Sequence, residues 1–396
     1  MVPKGWSSVQ AQDVCKSISV GVVIKPTQYY VPEGYGVKAF RSANVREGFI
    51  NDSDWVYFSH EGHAINKKSH LKTGDVLIVR TGYPGTACVV TPEFEGSNAI
   101  DIVIARPDMD KIIPEYLCAY TNSHIGKSQV LDLQGGMAQK HLNVGAYQVL
   151  KINLPPLREQ KKIAQILLTW DNAISVTENL LANSQQQKKA LMQQLLTGKK
   201  RLLDENGVRF SGEWKQDVNL GSIINISKGV QINKNTLSED GQFPVINGGI
   251  APSGFTSEFN TDENTITISE GGNSCGYVAF QKKSFWCGGH CYAVRKTALD
   301  LSFTFHLLKY NELKIMGLRV GSGLPNIQKK AIEAFTVNFP VTSVEQQKIA
   351  AVLSAADDEI ATLEKKLACL RDEKKALMQQ LLTGKRRVKV DEAVAE

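Results

Sequence analysis

Two segments of the chain, each about forty residues long, repeat apolar side chains at alternating spacings of four and three residues. This spacing places the side chains along one stripe of an α-helix and is typical of coiled coils. Pro155 and Pro340 precede the two segments, and Gly198 and Gly384 follow them where a helix favours a left-handed cap residue. The pattern therefore predicts two long helices. The residues assigned to their seam are Ile163, Leu167, Trp170, Ile174, Leu181, Leu191 and Leu195 in the first helix and Ile349, Leu353, Ile360, Leu363, Leu367, Leu370, Leu377 and Leu381 in the second.

The two predicted helices end in nearly the same sequence. Residues 188–201 read KKALMQQLLTGKKR and residues 374–387 read KKALMQQLLTGKRR, so thirteen of fourteen positions are identical at an offset of 186 residues. The same offset aligns residues 158–164 with residues 344–350 near the helix starts. An internal repeat of this kind predicts two equivalent units about a pseudo-twofold axis, as in a symmetric dimer.

Chain order predicts how the two helices pair. A globular segment lies between the end of the first helix and the start of the second, and a parallel pair would hold its two ends about 60 Å apart. An antiparallel pair brings those ends together and places one globular segment at each end of a two-helix coiled coil. The alternative is that each helix packs on its own globular segment as an ordinary amphipathic helix.

The segments outside the helices combine β-branched runs with glycine-bearing turns, which predicts an α+β fold with two mixed α/β domains. Residues 74–82 can be laid on 263–271 at an offset of 189, and residues 102–106 then meet 291–295. These runs predict strands of one sheet that enter a loop at the same place in both copies. The predicted organisation is a first domain at 1–157, a helix at 158–201, a second domain at 202–343, a helix at 344–390 and a tail at 391–396.

Composition limits the class of protein. The seven cysteines are scattered and the first twelve residues lack the apolar stretch of a secretory signal, so we expect a cytoplasmic location. Neither predicted helix is apolar on all sides, which argues against a membrane span. Residues 158–201 carry eight Lys or Arg against three Asp or Glu, which is five of the net charge of +6, whereas residues 1–157 carry fifteen against fourteen. Nearly neutral domains that bind nucleic acid would use local patches and phosphate contacts from a partner.

Donor-rich loops of the two domains are the candidates for base contacts. Arg and Lys pair with guanine edges, Asn and Gln pair with adenine edges, and lysines also contact phosphates. For any one of these residues, a solvated loop side chain is the alternative interpretation. The candidate DNA-binding residues are His60, His63, Asn66, Lys67, Lys68, Arg80, Thr81, Gln139, Lys140, His141, Lys228, Gln231, Asn233, Lys234, Asn247, Ser269, Asn273, Lys282, Lys283, Arg319, Ser322, Asn326, Gln328 and Lys329.

No residue set in the sequence points to catalysis. A Gly-Lys-Ser/Thr phosphate loop is absent, and residues 153–156 depart from the Asn-Pro-Pro-aromatic signature of amino-group methyltransferases through the inserted Leu154. The Cys-Gly-Gly-His-Cys run at residues 287–291, with Cys275 nearby, is the one metal-like cluster, but the first repeat has nothing similar. We therefore expect neither a catalytic residue nor a metal site in this chain.

The whole chain resembles the specificity subunit of type I restriction-modification systems. Pro-x-x-x-Glu-Gln-x-x-Ile after a sheet domain is quite specific to that family, and here the helix entry occurs twice. In the second copy Val341-Thr342-Ser343 replaces a second Pro-Pro-Leu, which affects only the bend into the helix. The residues that carry the resemblance are 154–164, their copy at 339–350, the two Leu-Met-Gln-Gln-Leu-Leu-Thr-Gly-Lys blocks, and Gly5-Trp6 and Gly212-Glu213-Trp214, which look like the family's domain-opening motif.

The resemblance implies a non-catalytic subunit that reads DNA. Its globular segments would be target recognition domains, each gripping one half of a split asymmetric double-stranded sequence in the major groove, and the antiparallel helices would fix the unread gap. Two modification subunits, which bind S-adenosylmethionine and methylate adenine, and restriction subunits that use ATP and magnesium would assemble on it. The chain itself would hold no cofactor. The alternative is an intracellular scaffold whose helices pair with other proteins and whose domains bind peptides or glycans.

Overall fold

The computed structural model describes residues 2–133, 141–321, 323 and 325–390 of the chain. Two compact units emerge: the first unit comprises residues 1–178 and 365–396, and the second unit comprises residues 179–364. Both contain strands and helices, so the fold is α+β, as the sequence predicts. Among the described residues, no helix is long and apolar enough to cross a membrane. The predicted tail at 391–396 lies outside the described residues.

The first unit is built from short strands and helices. Its strands are β1 Ser7–Gln10, β2 Cys15–Val20, β3 Tyr30–Val31, β4 Gly36–Phe40, β5 Val45–Arg46, β6 Phe49–Ile50, β7 Val56–Ser59, β8 Val76–Val79, β9 Ala87–Val89, β10 Asn98–Ala99, β11 Ile102–Pro107 and β12 Lys151–Leu154. Its helices are α1 Ala11–Val14, α2 His60–Ile65, α3 Pro114–Asn122, α4 His124–Leu133, α5 Val144–Gln148 and the first part of α6 Leu157–Leu195.

The second unit has a similar inventory. Its strands are β13 Trp214–Asn219, β14 Ile224–Lys228, β15 Phe243–Ile246, β16 Phe255–Thr256, β17 Thr265–Ser269, β18 Val278–Gln281, β19 Trp286–Cys287, β20 Cys291–Thr297 and β21 Thr336–Pro340. Its helices are α7 Leu301–Tyr310, α8 Glu312–Met316, α9 Lys329–Ala334 and the first part of α10 Ser343–Leu382, together with the last part of α6.

An antiparallel four-stranded sheet forms the centre of each unit. The strand order is β2-β11-β8-β9 in the first unit and β14-β20-β17-β18 in the second. Each unit also pairs one short strand in parallel, β4 with β10 and β15 with β19, and pairs its first strand with its last, β1 with β12 and β13 with β21. The strands that the 189-residue offset aligns therefore occupy the same places in the two sheets.

Alternation of side chains explains why the central sheet of the first unit is buried on both faces. Val76 and Ile78 of β8 lie in one apolar core, whereas Leu77 and Val79 lie in another. Successive side chains of a strand point to opposite faces, so the Val-Leu-Ile-Val run supplies both cores. Leu381, at the end of α10, is 2 % exposed and belongs to the first of these cores. Its packing joins that helix end to the sheet.

Within each unit, the start of one long helix lies beside the end of the other. In the first unit Asp171 of α6 pairs with Lys374 of α10, and in the second unit Asp357 of α10 pairs with Lys188 of α6. These two ion pairs are copies of each other at the 186-residue offset. Every residue of the predicted seam is buried or half-buried. A lysine in such a stripe helps to fix the register, because its charge must meet a partner.

Gly198 and Gly384 end the two helices as the sequence predicts. Their φ angles are +71° and +70°, the left-handed region that favours glycine. The chain then turns back, since the N–H of Lys200 donates to Gln194 O at 3.0 Å and the N–H of Arg386 donates to Gln380 O at 3.1 Å. Both turns present the following arginine to the start of the other helix.

A glutamate at each helix start receives that arginine. In the second unit Arg201 donates from Nε and Nη2 to the two carboxylate oxygens of Glu345 at 2.5 and 2.7 Å. In the first unit Arg387 donates in the same way to Glu159 at 3.0 and 2.5 Å. We call these pairs the helix clasps. Charge-assisted bidentate pairs of this kind are strong and geometrically specific.

A tryptophan from the domain opening completes each clasp. The guanidinium carbon of Arg387 lies 5.7 Å from the ring centroid of Trp6, and that of Arg201 lies 5.7 Å from the ring centroid of Trp214. The Trp6 indole also donates to Glu159 at 3.2 Å. The Gly-Trp, Glu-Gln and Lys-Arg motifs, distant in sequence, therefore meet at one place in each unit.

Replacing Glu345 tests the clasp of the second unit. The Glu345 side chain is 1 % exposed, so Glu345→Gln leaves the Arg201 charge buried without its partner. Breaking a buried ion pair at one end costs about 3 kcal/mol of unfolding free energy. The matched control is Glu159→Gln, whose partner Arg387 is 43 % exposed and can turn to water, and we expect about 1 kcal/mol there. Urea unfolding followed by tryptophan fluorescence measures both losses, and equal losses would contradict the role of burial.

One histidine in the second unit is buried without a full set of partners. His306 of α7 is 1 % exposed, and its Nε2 lies 2.9 Å from Ser354 Oγ on α10. Its Nδ1 makes no hydrogen bond with any residue that the structure describes and lies 3.8 Å from Asp357 Oδ2. Burial lowers the pKa of His306 to about 4, and Lys188 acts in the same direction, while Asp357 acts against them. His306 is therefore neutral in the folded chain at neutral pH.

Acid should destabilise the second unit through His306. Because the pKa falls from 6.5 to about 4 on folding, the unfolded chain binds the proton more tightly. Stability is complete above pH 6.5, falls as the pH drops below it and stops falling below about pH 4. At pH 5 the expected loss is about 2 kcal/mol. Urea unfolding of wild type and His306→Asn at pH 7.5 and pH 5 isolates this loss from that of other groups, and parallel losses in the two proteins would refute it.

Candidate nucleic-acid interface

Three candidate residues of the first unit converge where β8 ends and β11 begins. Arg80 donates to Asp101 and lies against His141 Nε2, and its Nε donates to Leu142 O at 3.0 Å. Thr81 Oγ1 lies 3.2 Å from His141 Nδ1. The Arg80 side chain is 10 % exposed, whereas Asp101 is 41 % exposed and has a φ of +49°. The ion pair thus holds the carboxylate at the surface and the guanidinium beneath it.

Two backbone segments cross at unusually short distance beneath this ion pair. The N–H of Gly21 donates to Ile102 O at 3.0 Å and that of Val22 donates to Ala99 O at 2.8 Å. A Cβ on Gly21 would lie 2.2 Å from Ala99 O, so only glycine fits this crossing. We call the site formed by Gly21, Arg80, Asp101 and His141 the first corner.

A second group of candidates in the first unit lies around α2. The His63 ring stacks on His70 with centroids 3.8 Å apart, and Asn98 Nδ2 lies 2.8 Å from its Nδ1. Burial, and next the neighbouring His70, lower the pKa of His63. Asn66 donates to Gly62 O at 2.7 Å and so caps the end of the helix. These residues organise the loop. The side chains of this group that face solvent are His60, Lys67 and Lys68.

The second unit gathers its candidates around a carboxylate. Glu270 follows β17 and is 13 % exposed, and it accepts from Lys228 Nζ at 2.6 Å and from the Tyr292 hydroxyl at 3.2 Å. His290 Nδ1 lies 3.5 Å from the other carboxylate oxygen. Burial, and next Glu270, raise the pKa of Tyr292 to about 12, so its hydroxyl remains a donor. Lys228 and His290 are 50 % and 60 % exposed, so two basic side chains stand at the surface above a half-buried carboxylate.

The backbone beneath this group repeats the crossing of the first unit. The N–H of Gly229 donates to Cys291 O at 2.9 Å and that of Val230 donates to Cys287 O at 2.8 Å. A Cβ on Gly229 would lie 2.2 Å from Cys287 O. We call the site formed by Lys228, Gly229, Glu270 and His290 the second corner.

Other candidates of the second unit surround this corner or lie on nearby loops. Asn247 Oδ1 accepts from the His290 N–H at 3.0 Å, and Gln231 approaches Gly289 of the same loop. Ser269 is 4 % exposed and donates to Gly248 O at 2.5 Å, which makes it part of the framework. The exposed candidates are Gln231, Asn233, Lys234, Asn273, Lys282, Lys283, Arg319, Asn326, Gln328 and Lys329. Gln139, Lys140 and Ser322 lie outside the described residues.

The cysteine cluster lies under the second corner. Cys287 and Cys291 are buried at 0 % and 1 % exposure, whereas the His290 side chain turns outward to Glu270. Within residues 2–133, 141–321, 323 and 325–390, no three His, Cys, Asp or Glu side chains are placed to hold a metal ion. The Cys287 thiol lies 3.5 Å from Cys291 O, an ordinary buried contact.

Sequence reasoning missed the acidic member of each corner. The candidates do not include Asp101 or Glu270, because the loops were chosen for their hydrogen-bond donors, yet each carboxylate holds a neighbouring basic side chain. Tyr292 was missed as an apolar strand residue. One signal was present: the 189-residue offset aligns Asp101 with His290, two polar residues that each stand immediately before a predicted strand. Whether the remaining candidates touch DNA stays a prediction.

Comparison with known proteins places the chain in a family. Residues 3–183 and 212–370 match the model of the type I restriction modification DNA specificity domain. A protein of Mycoplasma pneumoniae named a type I specificity subunit is 36 % identical over 160 residues, which are 39 % of this chain and 42 % of that protein. The chain thus spans less than half the length of that relative. A type I restriction enzyme specificity subunit of Methanocaldococcus jannaschii is 28 % identical over 428 residues, covering 98 % and 95 % of the two chains.

Solved structures share the fold. The crystal structure of a type I restriction-modification S subunit from M. genitalium superposes with a TM-score of 0.67 at 17 % identity, covering 96 % of each chain. A chain from a study of type I system assembly superposes with a TM-score of 0.56 at 19 % identity, covering 98 % of this chain and all of that one. At these identities the likeness extends to the fold alone.

Proposed function

We propose that this chain, which belongs to the type I restriction-modification DNA specificity family, selects the DNA sequence on which a multisubunit restriction-modification enzyme acts. One observation carries the proposal: two units with the same sheet topology place different polar side chains at the same corner. A common framework with different surface groups suits two recognition modules for different base sequences. The scaffold alternative, with peptide or glycan ligands, finds no support among the relatives, which are named specificity subunits.

The target is a split, asymmetric double-stranded sequence, with one half read by each domain. The two target recognition domains are residues 1–157 and 202–343. Their side chains differ at the corners and in the surrounding loops, which supports two different half-sites. Residues 1–157 carry fifteen basic and fourteen acidic residues, so we assign most phosphate contacts to partner subunits.

The long helices, residues 158–201 and 344–390, act as the ruler between the half-sites. We propose that they form an antiparallel coiled coil with one recognition domain at each end, related by a pseudo-twofold axis. In support, each unit contains the start of one helix beside the end of the other, joined by a clasp. Helices with a sustained apolar stripe and paired charges are stiff enough to set a distance.

Two modification subunits are the proposed partners on the helices. Exposed residues that are identical in both repeats offer them equivalent sites: Lys189, Gln193 and Gln194 in one helix and Lys375, Gln379 and Gln380 in the other. We propose that S-adenosylmethionine binds in those partners, where adenine is methylated, and that ATP and magnesium serve restriction subunits. This chain then has no catalytic residue of its own. We propose a cytoplasmic location, which suits seven free cysteines.

Genome-wide methylation tests the recognition proposal. The chain is co-expressed with a modification subunit of its own system in cells without other adenine methylation, and methylated adenines are mapped by single-molecule sequencing. We expect one bipartite motif with a fixed gap. Exchanging residues 1–157 for the corresponding domain of a relative should change one half of that motif, because each domain reads alone. A motif without a gap, or a change in both halves, would count against modular reading.

A matched insertion tests the ruler. Seven residues that continue the heptad are inserted between Glu178 and Asn179 and between Glu364 and Lys365, the two points at which the chain passes from one unit to the other within a helix. Seven helical residues span about 10 Å, so we expect the gap to lengthen by about three base pairs. The control places seven residues in the exposed turn after Glu205. An unchanged gap in the helix variant would reject the ruler.

A further inference from the structure

The two corners have the same pattern of backbone hydrogen bonds. Gly21 and Gly229 each follow the edge strand of the central sheet, and each donates to the first residue of the neighbouring strand, Ile102 or Cys291. Both glycines also cross a carbonyl that would lie 2.2 Å from any Cβ. Since so close a crossing recurs while the surrounding sequence differs, it fixes the same surface position in both units.

The charges around the two crossings are reversed, although Asp101 corresponds in position to His290 and Lys228, which precedes Gly229, corresponds to Val20, which precedes Gly21. In the first corner the base is inside, with Arg80 at 10 % exposure, and the acid Asp101 is outside at 41 %. In the second corner the acid Glu270 is inside at 13 %, and the bases Lys228 and His290 are outside at 50 % and 60 %. The first corner therefore offers a hydrogen-bond acceptor to a ligand, and the second offers donors.

We propose that each corner reads one base pair of its half-site and that the reversed charge gives the two units different base preferences. This inference rests on the proposed function. A carboxylate accepts from the N4 amino group of cytosine in the major groove, and a lysine donates to O6 and N7 of guanine. Asp101 is thus the reader of a cytosine in the half-site of the first unit, and Lys228 is the reader of a guanine in the half-site of the second.

The less exposed partners, Arg80 and Glu270, act through the readers. The Arg80 donors already meet Asp101, His141 and Leu142 O, so the guanidinium has no pair of N–H groups left for a bidentate contact with guanine. Glu270 likewise meets Lys228, Tyr292 and His290. Arg80 and Glu270 are positioning residues. Their pairing orients the readers before DNA binds, which reduces the entropy lost on binding.

A reading role differs from a structural role in one measurable respect. A residue that only stabilises the unit alters the amount of methylation at the motif, whereas a reader alters which base the motif specifies. The variants Asp101→Asn and Lys228→Met keep the shape of the side chain but change its hydrogen bonding. The methylated motif of the complex with the modification subunit is determined for each, and circular dichroism checks that the chain is folded.

We expect Asp101→Asn to change one position in one half of the motif. At that position the preference for cytosine over other bases falls tenfold or more, and methylation of sites with adenine increases, because asparagine pairs with the adenine edge. Lys228→Met should relax a guanine in the other half to a similar degree. Matched controls are Asp110→Asn and Lys296→Met, exposed residues near the opposite ends of strands β11 and β20, which should leave the motif unchanged.

The outcomes separate the two levels of the proposal. Absence of any bipartite motif with the wild-type chain would reject the proposed function itself. If the wild-type chain gives a bipartite motif and the Asp101→Asn and Lys228→Met variants give the same motif with the same base preference, the corner inference alone is overturned. Loss of all methylation by folded variants, or altered bases in the motifs of the control variants, would overturn the corner inference as well. Replacing a base-reading side chain by one of similar shape should change the base preference at a single position of the motif.

Discussion

A buried carboxylate that must meet a guanidinium organises this chain. Glu345 is almost fully buried at the start of α10, and burying an unpaired carboxylate is costly, so Arg201 has to reach it from beyond the end of α6. That requirement sets where α6 ends, why a left-handed glycine follows it and why the chain turns back. The same arrangement with Glu159 and Arg387 draws the segment that follows α10 into the first unit.

The clasps explain much of the near identity of the two helix ends. Leu195 and Leu381 fill the cores, Lys188 and Lys374 meet aspartates of the neighbouring helix, and Gly198 and Gly384 make the turns. Both copies must satisfy the same internal contacts, so a substitution at these positions would disrupt a core or leave a charge without its partner. Identity at the exposed glutamines and lysines has no such internal cause. Those positions are where a common partner explains the repeat better than the fold does.

The central sheets separate support from surface chemistry. Their strands are buried and obey the alternation of a strand covered on both faces, so substitutions there act on packing. The loops at one edge carry the polar groups, and a close backbone crossing holds those loops in the same place in both units. Different side chains can then change the hydrogen bonding offered to a ligand without moving the support. Reversal of the exposed charge between the corners is one instance.

The sequence by itself determined the features that depend on local periodicity and local chain geometry. The stripe of Ile163 to Leu195, the glycine caps and the strand runs around Val76 and Ile268 follow from spacing, because a helix or strand turns side chains by a fixed angle per residue. The family resemblance rested on motifs of the same local kind. Only the tertiary structure decided which loop residues meet. Arg80 and His141 are 61 residues apart and Lys228 and Glu270 are 42 apart, and each pair meets at the end of a central-sheet strand. Spacing carries no information about such contacts or about which member of an ion pair faces water, since both follow from how distant segments pack.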